Sequence, residues 1–314
     1  MTNLQFGVIG LGNFGKNYLR LLEKIPGVKI IATSNNLKKS LKILSDPRIN
    51  CVVIATPPST HFDLAKKALL SGKHVLLEKP AVLNTKDAKK LGGEVKRSKT
   101  VFMVAHQYLY NDYIVFLKKK LDKKFLGKLH YIYGEHFYLG GFRKDVGFFA
   151  DAIPHEFSIL EYLFGPLSIS QTSGSKQSFQ KGHLHDDFVT AQIKFNNVPL
   201  FGFAGARFAP QKVHRLFFAG EKGFAVFDDI EPKNKLKFFP CPYPGDEEFG
   251  TKSSLFLNIK KDKIKIPRVF AKEPLLNELN HFISCVRNNK TPLTDIDHVI
   301  RVANIIERCG KNLI

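Results

Sequence analysis

The 314-residue sequence contains no tryptophan, only two methionines and four cysteines, and no two of the cysteines form a CxxC pair. This spacing excludes a CxxC zinc cluster and offers no disulfide framework, so a reducing cytoplasm fits best. No apolar run approaches the roughly 18 residues that span a bilayer, and the chain enters a strand-like segment without a charged leader. We therefore expect a soluble cytoplasmic protein with no membrane span.

Acidic residues are scarce beside basic ones: 28 Asp and Glu stand against 48 Lys and Arg, a net charge of +20. Such a charge suits nucleic acid, an anionic membrane or a phosphorylated small molecule. Only ten of the basic residues are arginine, and the lysines are spread along the whole chain. Lysine is a hydrated point charge that rarely reads bases, so we attribute the charge to solubility and predict no specific nucleic-acid partner.

Length and hydrophobic patterning predict two domains, which we place at residues 1–119 and 120–314. The first part alternates short apolar strands with amphipathic helices, the pattern of a doubly wound parallel sheet. The second part has longer alternating segments rich in Phe and Tyr, which predict an α+β domain with a large, mostly antiparallel open sheet. Loops are predicted over residues 171–182 and 240–252, the latter because it is rich in proline.

The segment from Gly10 to Gly15 reads Gly-Leu-Gly-Asn-Phe-Gly and lies between the first predicted strand and helix. In that position GxGxxG is a dinucleotide-binding fingerprint. Gly10 allows the tight turn, Gly12 lets a pyrophosphate approach the backbone, and Gly15 lets helix and strand pack closely. The N–H groups at the helix N-terminus would then face the phosphates. We therefore predict that residues 1–119 bind NAD or NADP.

The acidic residue that usually follows the second strand and holds the ribose diol is missing. Residues 33–39 read Thr-Ser-Asn-Asn-Leu-Lys-Lys. Ser34, Asn35 and either Lys38 or Lys39 could bind a 2′-phosphate, which favours NADP, yet Asn35 could also hydrogen-bond a free 2′-hydroxyl. The choice between NAD and NADP is left open.

Candidate acid–base residues occur in both domains. Lys79 follows the fourth predicted strand in Glu-Lys-Pro, at the sheet edge where open α/β sheets bind ligands. Asp151 and His155 are four residues apart, so a helix would place them on one face. A histidine can take the proton of an alcohol while hydride leaves the carbon, and a carboxylate can orient it. Taken alone, His155 could equally be a capping or core residue.

No metal site is predicted. The run from His183 to Asp187 contains His-x-His followed by two acids, a combination that could bind zinc. It lies, however, in a predicted loop that leads into a strand, and we do not expect it to hold an ion.

Together these segments resemble the Gfo/Idh/MocA family of NAD(P)-dependent oxidoreductases over nearly the whole chain. GVIGLGNFG and ATPPSTHFDLAKKALLSGKHVLLEKP stand in the family's order and spacing. Residues 151–158 resemble the family's Asp-x-Gly-x-His-x-x-Asp, with Ile153 in place of Gly and Ser158 in place of the last Asp. These departures resemble a subgroup, D-x-A-P-H-[DE]-x-S-I, found among nucleotide-sugar dehydrogenases of surface-polysaccharide and lipid A pathways. The resemblance implies a Rossmann domain, then a substrate-binding and oligomerisation domain, in a homodimer or homotetramer.

The resemblance also implies roles for individual residues. Lys79 would contact the nicotinamide ribose and the reacting hydroxyl, and His155 would be the acid–base residue with Asp151 beside it. Arg143 could contact a substrate diphosphate or instead form a surface ion pair with Asp145. With Ser34 and Asn35, the expected cofactor-binding residues are Gly10, Gly12, Asn13, Phe14, Gly15, Thr56, Pro58, His61, Glu78 and Lys79. The expected substrate-binding residues are Tyr108, Tyr138, Arg143 and His155.

The implied activity is hydride transfer between a ring hydroxyl carbon of a nucleotide sugar and the nicotinamide. The nearest such reaction is oxidation of the 3-hydroxyl of UDP-N-acetylglucosamine to a 3-keto sugar, ready for a downstream aminotransferase. Two alternatives stay open. The same fold could act on a free polyol or another small carbonyl substrate, or the protein could be a non-catalytic, cofactor-binding regulatory or partner protein.

Overall fold

The computed structural model describes residues 3–141, 146–179, 185–240 and 263–314. Its helices and strands follow one another in an order that alternates at first and becomes strand-rich later. In chain order they are β1 (Leu4–Ile9), α1 (Asn13–Leu22), β2 (Val28–Ser34), α2 (Leu37–Ser45), β3 (Cys51–Ile54), α3 (His61–Leu70), β4 (His74–Glu78), α4 (Thr85–Ser98), β5 (Phe102–Ala105), α5 (Asp112–Asp122), β6 (Leu129–Leu139), α6 (Phe148–Phe164), β7 (Ile169–Gln177), β8 (Phe188–Phe195), β9 (Leu200–Ala206), β10 (Phe208–Gly220), β11 (Gly223–Asp228), β12 (Leu236–Pro240), α7 (Pro274–Asn288) and α8 (Ile296–Asn312).

The chain divides into two compact units. The first comprises Met1–Asn111 and Lys272–Arg308, and the second comprises Asp112–Ala271 and Cys309–Ile314. This division differs from the single boundary after residue 119 that the sequence suggested, because the C-terminal helical segment belongs with the N-terminal unit. Of the helices in the described residues, none is both long and apolar enough to cross a membrane.

The first unit contains a five-stranded parallel sheet in the order β2-β1-β3-β4-β5. All four residues of β3 and of β5 are buried, as expected for a parallel sheet covered on both faces. The strand order reverses between β1 and β3. The loops after these two strands therefore leave in opposite directions and open a crevice at their carboxyl ends, the usual ligand site of such sheets.

The C-terminal segment completes this unit through specific contacts. The Phe282 ring of α7 packs edge-on against Phe6 of β1, with ring centroids 6.2 Å apart. The backbone N–H of Val104 on β5 donates to the carbonyl of Thr294 at 2.9 Å. The apolar face of α7 thus covers one side of the sheet, which a chain cut at residue 119 would leave exposed.

The second unit contains a seven-stranded sheet in the order β12-β11-β10-β6-β9-β8-β7. Every neighbouring pair is antiparallel except β6 and β9, so the predicted mostly antiparallel sheet is confirmed. The edge strand β7 occupies much of the predicted loop over 171–182. Helix α6 packs on one face of this sheet, where Phe157 contacts Phe201 at 6.4 Å between ring centroids. Pro154 lies inside α6.

Candidate active site

The glycine loop between β1 and α1 has the shape that a pyrophosphate requires. Gly10 has a φ of 94°, and a Cβ there would lie 2.2 Å from the carbonyl oxygen of Ala55. A Cβ on Gly15 would lie 1.8 Å from the carbonyl oxygen of Gly10. Gly12 is different, because a Cβ there would meet no atom within 4 Å. Packing inside the chain therefore accounts for Gly10 and Gly15, whereas Gly12 keeps the loop surface open to a ligand.

The N-terminus of α1 has backbone N–H groups that can bind an anion. Gly12 is the N-cap residue and no side chain caps the helix, so its first N–H groups are left for solvent or a phosphate. Asn13 and Phe14 are exposed beside them. The residues present thus fit the pyrophosphate of a dinucleotide, which supplies a hydride acceptor when bound.

The residues at the end of β2 and just after it differ in exposure. Asn35 is exposed, and its Oδ1 accepts the backbone N–H of Leu11 at 3.0 Å, which fastens the glycine loop. Ser34 is 2 % exposed, and its hydroxyl donates to the carbonyl of Asn36 at 2.7 Å. Ser34 therefore shapes the turn rather than offering its hydroxyl to a ribose. Lys38 and Lys39, exposed on the first turn of α2, are left as candidates to meet a 2′-phosphate.

The loop after β3 is held by a buried imidazole. Both ring nitrogens of His61 lie 2.8 Å from backbone carbonyl oxygens, one from Thr56 and the other from Pro80. His61 is fully buried, and Pro58 in the preceding turn is buried as well. The expectation that His61 contacts the cofactor is therefore revised: its ring joins the loop carrying Thr56 to the turn carrying Lys79.

Glu78 is the last residue of β4 and Lys79 follows it, and the two side chains have different contacts. Glu78 is 8 % exposed; its Oε1 accepts the hydroxyl of Tyr18 at 2.8 Å and its Oε2 accepts the backbone N–H of Lys79 at 3.0 Å. Burial raises the pKa of Glu78. Its carboxyl group thus holds the backbone of this turn, which revises the expectation of a direct cofactor contact. Lys79 is half-buried, and its charge helps to lower the pKa of the neighbouring His106, after burial and His298.

Tyr18 also links this turn to the C-terminal helix α7. Its hydroxyl lies 3.2 Å from Oε1 of Glu278, which is fully buried. Burial first, and then the charge of Glu78, raises the pKa of Glu278 well above its ordinary value. A tyrosine hydroxyl has one proton to donate and cannot donate to both carboxyl groups at once, which is consistent with the raised pKa of Glu278. The motif analysis missed Glu278 because it lies 260 residues from Tyr18.

The acid–base candidates of the second unit lie on α6. His155 is 9 % exposed and Asp151 lies one turn earlier on the same helix. Two other imidazoles lie near His155. The ring centroids of His136 and His214 are 6.2 and 6.4 Å from that of His155. Tyr138 lies on β6, with its ring 5.7 Å from that of His136. This part of the predicted site is therefore brought together by α6 and β6.

The other residues singled out in the sequence are in varied surroundings. Tyr108 is only 9 % exposed within a short turn after β5, which limits what it can offer a substrate. Arg143 lies outside the described residues, as do its alternative partner Asp145 and the first histidine of the His-x-His run. The acids of that run have structural tasks: Asp186 accepts the backbone N–H of Phe149 at 2.6 Å, near the start of α6, and Asp187 pairs with buried Arg207.

Two family models match this chain in succession. Residues 4–106 match the oxidoreductase family, NAD-binding Rossmann fold, and residues 118–312 match the oxidoreductase family, C-terminal alpha/beta domain. The chain belongs to the Gfo/Idh/MocA oxidoreductase family. The sequence-based predictions of the family, the fold class and an NAD(P)-dependent dehydrogenase that acts on alcohol groups are thereby confirmed, and the alternative of a non-catalytic regulator falls away.

Named relatives within this family differ in their substrates. The chain is 27 % identical to scyllo-inositol 2-dehydrogenase (NAD(+)) of Bacillus subtilis, over 94 % of this chain and 90 % of the relative. It is 24 % identical to UDP-N-acetylglucosamine 3-dehydrogenase of Acidithiobacillus ferrooxidans, over 73 % and 75 %. The solved structure of the latter superposes with a TM-score of 0.80 at 18 % identity, covering 100 % and 98 %, which shows the shared fold.

Proposed function

We propose that this family member oxidises a ring hydroxyl of a nucleotide sugar, with the 3-hydroxyl of UDP-N-acetylglucosamine as the first candidate. The observation that carries the proposal is the run 151–158, whose departures from the family pattern resemble nucleotide-sugar enzymes. Both departures lie inside α6 next to His155, and Ser158 donates its hydroxyl to the carbonyl of His155 at 2.8 Å. Both positions therefore lie in the helix that carries the proposed acid–base residue, and Ser158 contacts the backbone of that residue.

In this proposal the reaction breaks a C–H bond and forms a carbonyl. A bound nicotinamide would supply the hydride acceptor, and His155 would take the hydroxyl proton. Nδ1 of His155 is buried, so Nε2 is the nitrogen that receives the proton. Asp151 orients the imidazole, and Lys79 donates a hydrogen bond to the oxygen on which negative charge develops.

The cofactor preference depends on few residues. Asn35, Lys38 and Lys39 are exposed polar side chains after β2, and no carboxylate is present in residues 33–39. A lysine pair suits a 2′-phosphate, whereas an amide suits a free hydroxyl. We propose that the protein accepts both NAD and NADP.

A second candidate substrate follows from the comparisons. The Bacillus subtilis relative, a scyllo-inositol dehydrogenase by name, aligns over most of this chain. A cyclitol presents a ring hydroxyl to the same acid–base pair but has no diphosphate. The two candidates therefore differ in whether substrate binding needs a nucleotide.

A substrate panel separates the candidates. The full chain is assayed with UDP- and dTDP-sugars, myo-inositol and scyllo-inositol, each with NAD and with NADP, by the absorbance of the reduced nicotinamide. We expect kcat/KM to be highest for UDP-N-acetylglucosamine, with a 3-keto product identified by mass spectrometry. Turnover of inositols alone would contradict the nucleotide-sugar proposal and support the second candidate.

The expected setting of the reaction belongs to the same proposal. We propose a cytoplasmic homodimer or homotetramer that supplies a keto sugar to an aminotransferase in lipid A or surface-polysaccharide biosynthesis. The sheet of the second unit supports self-association, because Tyr131 and Leu200 are 47 % and 45 % exposed on neighbouring strands. Light scattering after size exclusion tests it, and a monomeric mass would contradict it.

A further inference from the structure

Two histidines and a glutamate meet inside the second unit, although they lie far apart in the sequence. His136 on β6 and His214 on β10 are directly opposite each other in the antiparallel ladder. Glu156 lies on α6, which packs on the same sheet. The three side chains are 12 %, 2 % and 0 % exposed. Charged groups this deeply buried require compensation by partners or by a bound ion.

The ligating atoms of these residues have the spacing of a coordination sphere. Nδ1 of His136 and Nε2 of His214 lie 3.2 and 3.0 Å from Oε1 of Glu156. All three atoms lie within 4.8 Å of one another. A tetrahedral zinc ion, with bonds of about 2.0–2.1 Å, holds neighbouring ligand atoms about 3.3 Å apart. The two shorter distances therefore match edges of such a tetrahedron.

The arrangement around the carboxylate is asymmetric. Both imidazole nitrogens approach Oε1 of Glu156, while its buried Oε2 has no hydrogen-bond partner among the residues that the structure describes. A cluster held by hydrogen bonds alone would gain by placing one donor on each oxygen, because an unsatisfied buried acceptor is costly. Both nitrogens approach the same oxygen instead, which groups Nδ1 of His136, Nε2 of His214 and Oε1 of Glu156 as a set of three candidate ligand atoms.

The outer nitrogen of His214 faces a second carboxylate. Oδ2 of Asp229 lies 3.8 Å from Nδ1 of His214, and Oδ1 of Asp229 accepts Lys235 at 2.8 Å. A carboxylate on the outer side of a histidine fixes the tautomer whose other nitrogen presents a lone pair. Nε2 of His214 lies 3.0 Å from Oε1 of Glu156, so a divalent ion bound to both atoms would take the place of a shared proton.

We propose that His136, Glu156 and His214 form a binding site for a divalent transition-metal ion of the zinc type, with the fourth position open to water. The ion would tie β6, β10 and α6 together one residue from His155. This site goes beyond the proposed dehydrogenase function and does not depend on which alcohol is oxidised. The sequence analysis predicted no metal and did not consider these three residues, since Glu156 is 20 residues from one histidine and 58 from the other.

Metal content tests the proposal directly. The full chain, purified without a histidine tag, is stripped with a chelator, loaded with Zn²⁺, dialysed and analysed by plasma mass spectrometry. We expect one zinc ion per chain in the wild type and its loss in His136→Gln and His214→Gln. The controls His130→Gln, an exposed histidine on β6, and His185→Gln, in the His-x-His run, should keep it. A wild-type chain without zinc, or loss in His185→Gln with retention in His214→Gln, would overturn the proposal.

Measurements on the wild type keep the test decisive if a variant does not fold. Loading with Co²⁺ should produce the strong visible absorption of a tetrahedral site with nitrogen and oxygen ligands. Zn²⁺ at a hundredfold excess over its Kd should raise the melting temperature by about 5 °C. The absence of both effects would contradict the site. Failure to turn over nucleotide sugars changes neither readout, so the two proposals fail separately.

Discussion

The imidazole of His61 is hydrogen-bonded to the carbonyl of Pro80, the residue that follows Lys79, at 2.8 Å. Its other nitrogen lies at the same distance from the carbonyl oxygen of Thr56, so a single buried ring lies between the ends of β3 and β4. His61 thereby supports the turn that carries Lys79, and it can do so without contacting a ligand. We regard His61 as a positioning residue.

Replacing His61 by alanine should weaken both the fold and the reaction. Each buried carbonyl left without its partner costs about 1–3 kcal/mol, so we expect a large fall in the denaturant midpoint. We also expect a kcat lowered more than KM, because Lys79 loses its support. His130→Ala is the matched exposed control. A variant with the stability and kcat of the wild type would show that the link is dispensable.

Glycine substitutions in the first loop should separate folding from cofactor binding. Gly10→Ala forces a side chain into a left-handed conformation and into Ala55, so we expect a loss of about 2 kcal/mol or more in unfolding free energy. Gly12→Ala meets no protein atom, so stability should stay within about 1 kcal/mol while the Kd for NAD rises about tenfold. Equal NAD affinity in Gly12→Ala and the wild type would refute the pyrophosphate assignment.

The pH dependence of stability should reveal the proton on Glu278. Its pKa in the folded chain lies well above the ordinary 4.5, so the native state keeps a proton that the unfolded chain releases. The group's contribution is therefore complete below about pH 4.5 and declines as pH rises towards the folded pKa, by about 1.4 kcal/mol per pH unit.

Glu278→Gln removes this titration and keeps a donor for Tyr18, so we expect a flatter stability profile above pH 5 and a higher melting temperature at pH 8. Glu273→Gln is the control, since Glu273 lies in the same segment but is exposed and paired with Arg20. Parallel profiles for Glu278→Gln and the wild type would mean that Glu278 is ionised in the fold.

The cofactor preference can be shifted at α2. Replacing both Lys38 and Lys39 by glutamine should raise KM for NADP about tenfold and leave KM for NAD nearly unchanged, because only NADP carries the 2′-phosphate. Steady-state kinetics with both cofactors measure this. Identical changes for the two cofactors would place the phosphate elsewhere.

Local patterns predicted the first unit well. The bounds of β1 and the glycine loop follow from an apolar run that ends in Gly10, and both need only neighbouring residues to be recognised. The edge strand β7 was missed because its sequence is polar and mostly exposed, so it lacks the alternation that marks a half-buried strand. Its pairing with β8 supplies what its own composition does not.

Contacts between residues far apart in the sequence could not be predicted from motif spacing. The partnership of Tyr18 with Glu278 and the meeting of His136 with Glu156 and His214 depend on how distant segments pack. Ser34, by contrast, was expected just after the second strand and is the last residue of β2, where its hydroxyl bonds the carbonyl of Asn36. The sequence shows which residue types are present, but which partners these side chains contact depends on tertiary packing.

The proposed function assigns Lys79 and His155 to one hydride transfer. The most direct test is single-turnover reduction of NAD by the identified sugar substrate in Lys79→Met and His155→Ala. We expect the rate at saturating NAD to fall about 10²- to 10⁴-fold in each folded variant. Asp63→Ala, at an exposed position on the first turn of α3, is the control. Near wild-type rates in either variant, at equal folding and cofactor affinity, would contradict the account.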